Sequence, residues 1–300
     1  MPSMFLPLRL FISFVAFTAA SAVAAIAPAD LARGDGAQLR AKYERVRDRL
    51  ERGPYGRPLA LDSRELNRSL EGDAYALISA PFQKVDASLT PVGNWCDVLM
   101  LPFNVKHCTT EGAADGARLK LYVGRKNDTP LDSAYKLEFD YKVVSRTPDY
   151  LQIVLSCGNG PLGTRDYRIV IELTPVGERT FMHLTYAYGY GTLSKVAMQT
   201  YLSTLGASKV GFTMDGDDLV HGMRGVMERN TMRYYLAVEA YLASLSAPAD
   251  ARTAKRLNDW FSAQERYPRQ LGEEVSRAQY LAMKQREFAR VASARVAGGG

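Results

Sequence analysis

Cysteine and histidine are scarce in this sequence, and long hydrophobic runs are missing beyond its first 25 residues. Three cysteines in 300 residues cannot build a disulfide-dense scaffold, and three histidines leave little material for a metal site. Because no later run reaches about 18 apolar residues, a polytopic membrane protein is excluded. The net charge of +6 is modest and includes no basic block, so we predict no nucleic-acid partner.

The remaining composition is that of an ordinary globular protein, with 47% hydrophobic and 23% charged residues. A chain of this length buries about three quarters of the surface that its unfolded form exposes. The sequence is therefore long enough to form one large hydrophobic core.

The first 24 residues have the composition of a secretory signal. Arg9 is the only charged residue before Asp30, and an apolar run over residues 10–17 follows it. Ala22-Val23-Ala24 fits a small-x-small cleavage site and Ala25-Ile26-Ala27 is a second option, so we place the cleavage after Ala24 or Ala25. Because the apolar run is too short to span a membrane easily, we expect a cleaved signal peptide and a periplasmic or secreted protein. An uncleaved N-terminal anchor is the alternative.

Export changes the interpretation of the cysteines. Cys96 and Cys108 lie close together in the sequence, whereas Cys157 stands apart. In an oxidising compartment we expect a Cys96–Cys108 disulfide, worth about 3 kcal/mol in the chain-entropy model, with Cys157 unpaired. Three buried reduced thiols are the alternative. His107 beside Cys108 is too little for a zinc site, so we predict neither a metal nor a cofactor.

Alternation of apolar and polar residues marks the middle of the chain. In residues 135–143 the odd positions are all aromatic or aliphatic, and the even positions are all charged. Residues 180–190 show the same period, which predicts strands with one buried face and one solvated face. About six such segments follow one another after His107, and a long helix over 219–244 offers an apolar side to cover them.

The flanking segments are predicted to be helical. Residues 37–52 form a charged amphipathic helix, residues 81–101 form a helical pair, and two more amphipathic helices follow Pro248. Asp215-Gly216-Asp217-Asp218 supplies N-cap chemistry for the long helix. We divide the chain into a signal peptide over 1–24, an N-terminal helix and linker over 25–71, a main α+β domain over 72–247 and a C-terminal helical extension over 248–300.

This order of elements resembles the START-like, or helix-grip (SRPBCC), superfamily over roughly residues 72–245. The segments Asn94-Trp95-Cys96-Asp97 and Arg229-Asn230-Thr231-Met232-Arg233-Tyr234-Tyr235 look specific to an exported bacterial subgroup. The resemblance implies an α+β fold in which a curved antiparallel sheet wraps around a long C-terminal helix. It also implies an apolar cavity for a lipid or another hydrophobic ligand, although some members are enzymes. The chain departs from the pattern in its extra terminal helices and in an insertion around residues 192–215.

Aromatic and methionine side chains on the predicted inner faces are the candidate cavity lining. A tyrosine presents an apolar ring with one polar tip, and a methionine adapts to irregular shapes. The candidates are Phe139, Tyr141, Tyr167, Tyr186, Tyr188, Tyr190, Met223, Met227 and Tyr234. A core simply filled by these side chains is the alternative.

Signals of catalysis are poor. No histidine has a serine or cysteine nucleophile at a diagnostic spacing, and His183 lies on the strand face opposite the tyrosines. We therefore expect binding rather than catalysis, and name no catalytic residue. The arginines of the long helix are expected to form a solvated face paired with Glu228 and Glu239, with contact to an anionic headgroup or membrane surface as the alternative. These arginines are Arg224, Arg229 and Arg233.

The favoured function is an exported soluble carrier that binds a lipid or other hydrophobic small molecule, with transient membrane contact. Two other classes remain open. One is an enzyme on the same scaffold, resembling polyketide cyclases or aromatases. The other is a structural or assembly protein that has no open cavity and uses its helical tail as the working surface.

Overall fold

The computed structural model describes residues 34–112, 116–192, 195–196, 198, 209–272 and 275–297. The predicted signal peptide over residues 1–24 lies outside these residues. Among the described residues, no helix combines the length and the apolar character needed to cross a membrane.

The main structural unit is an eight-stranded antiparallel sheet with strand order β1-β2-β8-β7-β6-β5-β4-β3. Its strands are β1 Leu59–Leu66, β2 Ser69–Ile78, β3 Val105–Glu111, β4 Arg118–Val123, β5 Tyr135–Thr147, β6 Tyr150–Asn159, β7 Thr164–Val176 and β8 Arg179–Tyr190. A short hairpin follows, formed by β9 Met214–Asp215 and β10 Asp218–Leu219.

The helices lie before, within and after the sheet. They are α1 Gly36–Arg52, α2 Phe82–Leu89, α3 Val92–Leu99, α4 Gly222–Ser244, α5 Arg252–Glu265, α6 Pro268–Leu271 and α7 Arg277–Ala297. Two 3₁₀ turns, Leu131–Ser133 and Pro161–Gly163, connect strands. The predicted N-terminal helix, helical pair, long helix and two tail helices are all present.

The alternation predicted for residues 135–143 is realised in β5. Leu137, Phe139 and Tyr141 are buried, and the charged residues between them are exposed. Tyr135 differs because it is 51% exposed at the start of the strand. The buried positions face α4, and we call this side of the sheet the inner face.

The sheet begins earlier in the chain than the pattern suggested. β1 and the start of β2 lie within residues 59–71, inside the region over 25–71 that is predicted to hold the N-terminal helix and linker. The two strands are joined through Asn67 and Arg68, whose φ angles of 42° and 66° are those that a two-residue type I′ hairpin turn requires. The boundary placed at residue 72 therefore falls within β2.

Helix α1 covers part of the outer face of the sheet. Its apolar stripe is Leu39, Tyr43, Val46 and Leu50, and this stripe packs against Ala60, Leu77, Tyr150 and Phe181. The rings of Tyr43 and Phe181 are 5.3 Å apart. The predicted solvated outer face is therefore partly buried, because the amphipathic helix needs an apolar surface of its own.

Helix α4 begins later than predicted, and the expected aspartate cap is wrong. Residues 215–218 form the β9–β10 hairpin, in which Gly216 has a φ of 67°. The N-cap of α4 is His221, which makes no side-chain capping hydrogen bond. The Asp-Gly pair therefore acts as a turn rather than as a helix start.

Glycine at position 72 permits close approach of α4 to the sheet. A Cβ there would lie 2.2 Å from Thr231 Oγ1 and 2.9 Å from Met227 Cγ, both on α4. The helix therefore rests directly on β2, at one side of the inner face.

Candidate ligand-binding cavity

Away from Gly72, α4 and the inner face of the sheet do not close completely on one another. A cavity of about 460 Å³ lies between them. The aliphatic side chains Leu121, Val123, Leu137 and Ile169 form part of its wall. The helix contributes Val226, Arg229, Asn230, Arg233 and Tyr234.

The spacing of these helical residues explains why they share the cavity. Relative to Val226, the other four follow at three, four, seven and eight positions, which places all five on one side of α4. The adjacent side of the helix carries Met227 and Thr231, which pack against Gly72. One side of α4 thus forms the contact with β2, and the next side forms a cavity wall.

Aromatic rings cluster on the sheet side of the cavity. Tyr167 stacks on Tyr188 with ring centroids 5.3 Å apart, and Tyr186 lies 4.9 Å from Tyr234 of α4. Phe139 contacts Tyr167 edge-on at 6.4 Å. These rings form one continuous cluster across β5, β7, β8 and the helix.

The tyrosine hydroxyls of this cluster are held in their neutral form. Burial raises the pKa of Tyr186 well above its ordinary value and raises the pKa of Tyr234 to about 12. The hydroxyl of Tyr167 donates a hydrogen bond to Thr164 Oγ1 at 2.8 Å. At neutral pH these groups can accept or donate hydrogen bonds, but they do not act as bases.

The structure places five of the nine candidate lining residues at the cavity. They are Phe139, Tyr167, Tyr186, Tyr188 and Tyr234. Their role in binding a ligand stays a prediction.

The other four candidates lie elsewhere. The Tyr141 hydroxyl donates to the backbone oxygen of Thr90, and the Tyr190 hydroxyl donates to Glu65. Met227 is fully buried against Gly72, and Met223 packs against the core without lining the cavity. Strand parity and helical spacing identify the correct face, but they do not show where the helix touches the sheet.

The expectation that the α4 arginines form a solvated face is wrong for two of them. Arg229 is 3% exposed and Arg233 is 7% exposed. Arg229 Nη1 donates to the backbone oxygen of Val210 at 3.1 Å, and Arg233 Nε donates to Gln264 Oε1 at 3.4 Å. Burial of these arginines was not predicted because arginine is usually exposed.

The two glutamates expected to pair with the arginines have other partners. Glu228 accepts hydrogen bonds from the backbone nitrogens of Phe212 and Thr213, at 2.6 and 2.9 Å. It also accepts from Ser63 Oγ at 2.6 Å, and Glu239 pairs with Arg57. Glu228 therefore fixes the segment before the β9–β10 hairpin against α4 and β1.

Lys126, in the segment after β4, also lines the cavity, and its side chain lies near other cationic side chains. Burial, together with the nearby positive charges of Arg233, Lys209 and Arg229, lowers the pKa of Lys126 to about 7. The pKa of Lys209 is also lowered, first by burial and then by Arg229 and Arg233. No signal in the sequence around Lys126 indicated this position. The spacing of Arg229 and Arg233 relative to Tyr234 could have placed them on the cavity side.

The predicted Cys96–Cys108 disulfide is present, with Cα atoms 5.4 Å apart, and it joins α3 to β3. Cys157 is a buried free thiol, as predicted. His183 also lies where strand parity placed it, on the outer face of the sheet and away from the cavity.

An antiparallel sheet packed around the long helix α4, with a largely apolar cavity between them, is an α+β helix-grip fold. The fold class predicted from the sequence is therefore confirmed. Similar solved structures include human StAR-related lipid transfer protein 5, at 11% identity over 71% of this chain and 98% of that chain, with a TM-score of 0.38.

A point mutant of norcoclaurine synthase from Thalictrum flavum is similar at 12% identity over 62% of this chain and 99% of that chain, with a TM-score of 0.37. A conserved protein from Geobacillus kaustophilus is similar at 14% identity over 58% of this chain and 95% of that chain, with a TM-score of 0.35. A scan against models of protein families and a search of curated proteins gave no match. Identities this low carry no information about the ligand of this chain.

Proposed function

We propose that this protein is an exported carrier that binds a lipid or another hydrophobic molecule in the cavity between α4 and the sheet. The cavity itself carries the proposal. Its volume of about 460 Å³ lies within the range of small-molecule sites, about 300–1,000 Å³, and its wall combines apolar side chains with a few polar groups. The composition of residues 1–24 and the disulfide support export.

Binding is non-covalent and is driven by removal of apolar ligand surface from water. Each Å² of apolar surface removed from water contributes about 25 cal/mol. The neutral hydroxyls of Tyr186 and Tyr188 can orient a polar group of the ligand without the cost of desolvating a charge. The hydrophobic wall thus supplies affinity, and the tyrosine tips supply orientation.

Two neighbouring residues of α4 provide a matched test. Val226 lines the cavity, whereas Met227 is packed against Gly72. We expect Val226→Trp to fill the cavity and to weaken binding of the neutral fluorophore N-phenyl-1-naphthylamine at least ten-fold, with little change in melting temperature. Met227→Trp overpacks a filled contact and should cost about 1–3 kcal/mol of stability.

Native mass spectrometry and organic extraction of the purified mature protein complement this titration, since a carrier is expected to retain an extractable apolar molecule. If the fluorophore does not bind the wild type, or if Val226→Trp destabilises the protein as much as Met227→Trp does, the cavity is not a binding site. An assembly role for the helical tail would then be favoured.

A further inference from the structure

We propose that the ligand of this cavity is a single-chain amphiphile whose uncharged head, a hydroxyl or an amide, both donates and accepts hydrogen bonds. The side chains of Asn104 and Asn230, which both belong to the cavity wall, bind this head. The inference rests on the proposed carrier function and names the class of its ligand.

The two asparagines reach the cavity from different elements. Asn230 lies within α4, one helical turn after Val226 and one turn before Tyr234, so it shares their side of the helix. Asn104 lies between α3 and β3, where its backbone oxygen accepts a hydrogen bond from Gly124 N at 2.8 Å. The backbone at Asn104 is therefore held by a contact that does not involve the side chain.

The protein itself does not use either carboxamide. Within the ranges that the structure describes, the side chains of Asn104 and Asn230 make no hydrogen bond. Other polar groups of the wall have partners: the Tyr167 hydroxyl donates to Thr164 Oγ1, and the cationic side chains interact within the protein. Because a carboxamide carries two N–H donors and an acceptor oxygen, both asparagines present donors and acceptors to whatever occupies the cavity.

Asn230 contributes nothing to α4 that would explain its presence there. Asparagine is a poorer helix former than leucine, and the amide of Asn230 is bonded to none of the described residues. A leucine at this position would continue the wall between Val226 and Tyr234 without a polar group. Asn230 therefore lowers the stability of the helix and places an amide at the cavity.

These amides set a requirement for the head of the ligand. A ligand that fills the cavity removes water from both carboxamides, and a purely apolar ligand leaves their donors and acceptors without partners, which costs free energy. A hydroxyl or amide head replaces the lost hydrogen bonds, because it can donate to a carboxamide oxygen and accept from a carboxamide nitrogen. An ester only accepts, so it leaves the oxygens unpaired.

The volume of the cavity limits the remainder of the ligand to one chain. At about 30 Å³ per non-hydrogen atom, the share of one molecule in liquid water, a volume of about 460 Å³ holds about 15 such atoms. A lipid with two long acyl chains is too large for this space, whereas a small head with one chain of ten carbons fits. The aliphatic side chains of Leu121, Leu137 and Ile169 form a suitable wall for that chain.

The test compares two uncharged compounds that share a ten-carbon unit and differ in their heads. Decanol donates and accepts hydrogen bonds, whereas methyl decanoate only accepts them. Each competes with N-phenyl-1-naphthylamine for the full mature protein at pH 7. We expect decanol to bind at least five-fold more tightly than methyl decanoate, because the ester leaves buried acceptors unpaired. Dihexanoylphosphatidylcholine, a soluble lipid with two chains, should not displace the fluorophore.

The double substitution Asn104→Leu and Asn230→Leu keeps the approximate size of both side chains and removes their amides. Both side chains are only half-buried, so the fold is expected to tolerate the change. In this variant decanol should bind no more tightly than methyl decanoate. The fluorophore is titrated directly in each variant, so that every competition refers to its own affinity. Asn258→Leu, at an exposed position of α5, is the control and should keep the wild-type preference.

Three results would overturn the inference and leave the carrier function intact. They are a wild type that does not bind decanol more tightly than methyl decanoate, a decanol preference that survives the double substitution, and displacement of the fluorophore by dihexanoylphosphatidylcholine. Failure of the fluorophore to bind the wild type would instead remove the carrier function itself. The two kinds of failure are therefore distinguishable in one set of titrations.

Discussion

His183 Nε2 lies 2.7 Å from Asp73 Oδ1 on the outer face of the sheet, beneath α1. The other ring nitrogen, Nδ1, lies 2.8 Å from Glu172 Oε2, so the imidazole bridges carboxylates on β2 and β7. Lys42 of α1 reaches the same cluster, with Nζ 3.5 Å from Glu172 Oε2. This buried charge cluster ties the N-terminal helix to the face of the sheet opposite the cavity.

The cluster predicts that stability falls at alkaline pH. Burial alone would lower the pKa of His183, but hydrogen bonds to Asp73 and Glu172 raise it above its ordinary value. The stabilisation is therefore fully present below about pH 6.5 and is lost as the pH rises through the folded-state pKa. Urea unfolding measured between pH 5.5 and 9 should show this decrease, and His183→Gln should lack it.

The same substitution removes one partner of a buried charge cluster, so it should cost about 3 kcal/mol at pH 6. His221→Gln is the control, because His221 is exposed and makes no capping bond. Burial and the nearby Arg290 lower the pKa of His107, so the contribution of His107 makes stability rise with pH. This opposite contribution is present in both the wild type and His183→Gln. A pH profile identical in the wild type and His183→Gln would contradict the assignment.

Much of the fold was predictable because its signals are local. The alternation in β5 and the apolar stripe of α1 each depend on residues within one element. The β1–β2 hairpin was not predicted, because its turn is Asn67-Arg68 rather than an Asn-Gly pair. Sequence period alone could not reveal that Asn67 and Arg68 both adopt positive φ.

The details of the cavity depend on contacts between distant residues. Met227 and Tyr234 look equivalent on a helical projection, but the missing side chain of Gly72 lets β2 touch Met227 and leaves Tyr234 at the cavity. Burial of Arg233 likewise depends on Gln264 of α5, in the C-terminal extension. Neither contact follows from a residue spacing or a motif that can be recognised in a single sequence.

A buried charge triad predicts that the last helix is firmly attached to the sheet. Lys284 of α7 donates to the backbone oxygen of Val105 at 2.7 Å and to Glu287 Oε2 at 2.8 Å. Lys106 of β3 lies 3.3 Å from Glu287 Oε1. Glu287→Ala leaves two buried ammonium groups without their carboxylate, so urea unfolding should show a loss of about 3–5 kcal/mol.

The adjacent residue Arg286 offers the matched control. It pairs with Asp128 at the surface, where both side chains are mostly exposed. Arg286→Ala should change the unfolding free energy by less than about 1 kcal/mol. Equal effects of Arg286→Ala and Glu287→Ala would show that the triad does not hold α7 in place.

The Cys96–Cys108 disulfide predicts a redox dependence of stability. The bond closes a loop with a sequence separation of 12 residues, which corresponds to about 3 kcal/mol in the chain-entropy model. The double substitution Cys96→Ser and Cys108→Ser should lower the unfolding free energy by this amount, and Cys157→Ala should leave the disulfide intact. Peptide mapping of the purified protein without reduction is the direct check, and free thiols at both positions would refute the pairing.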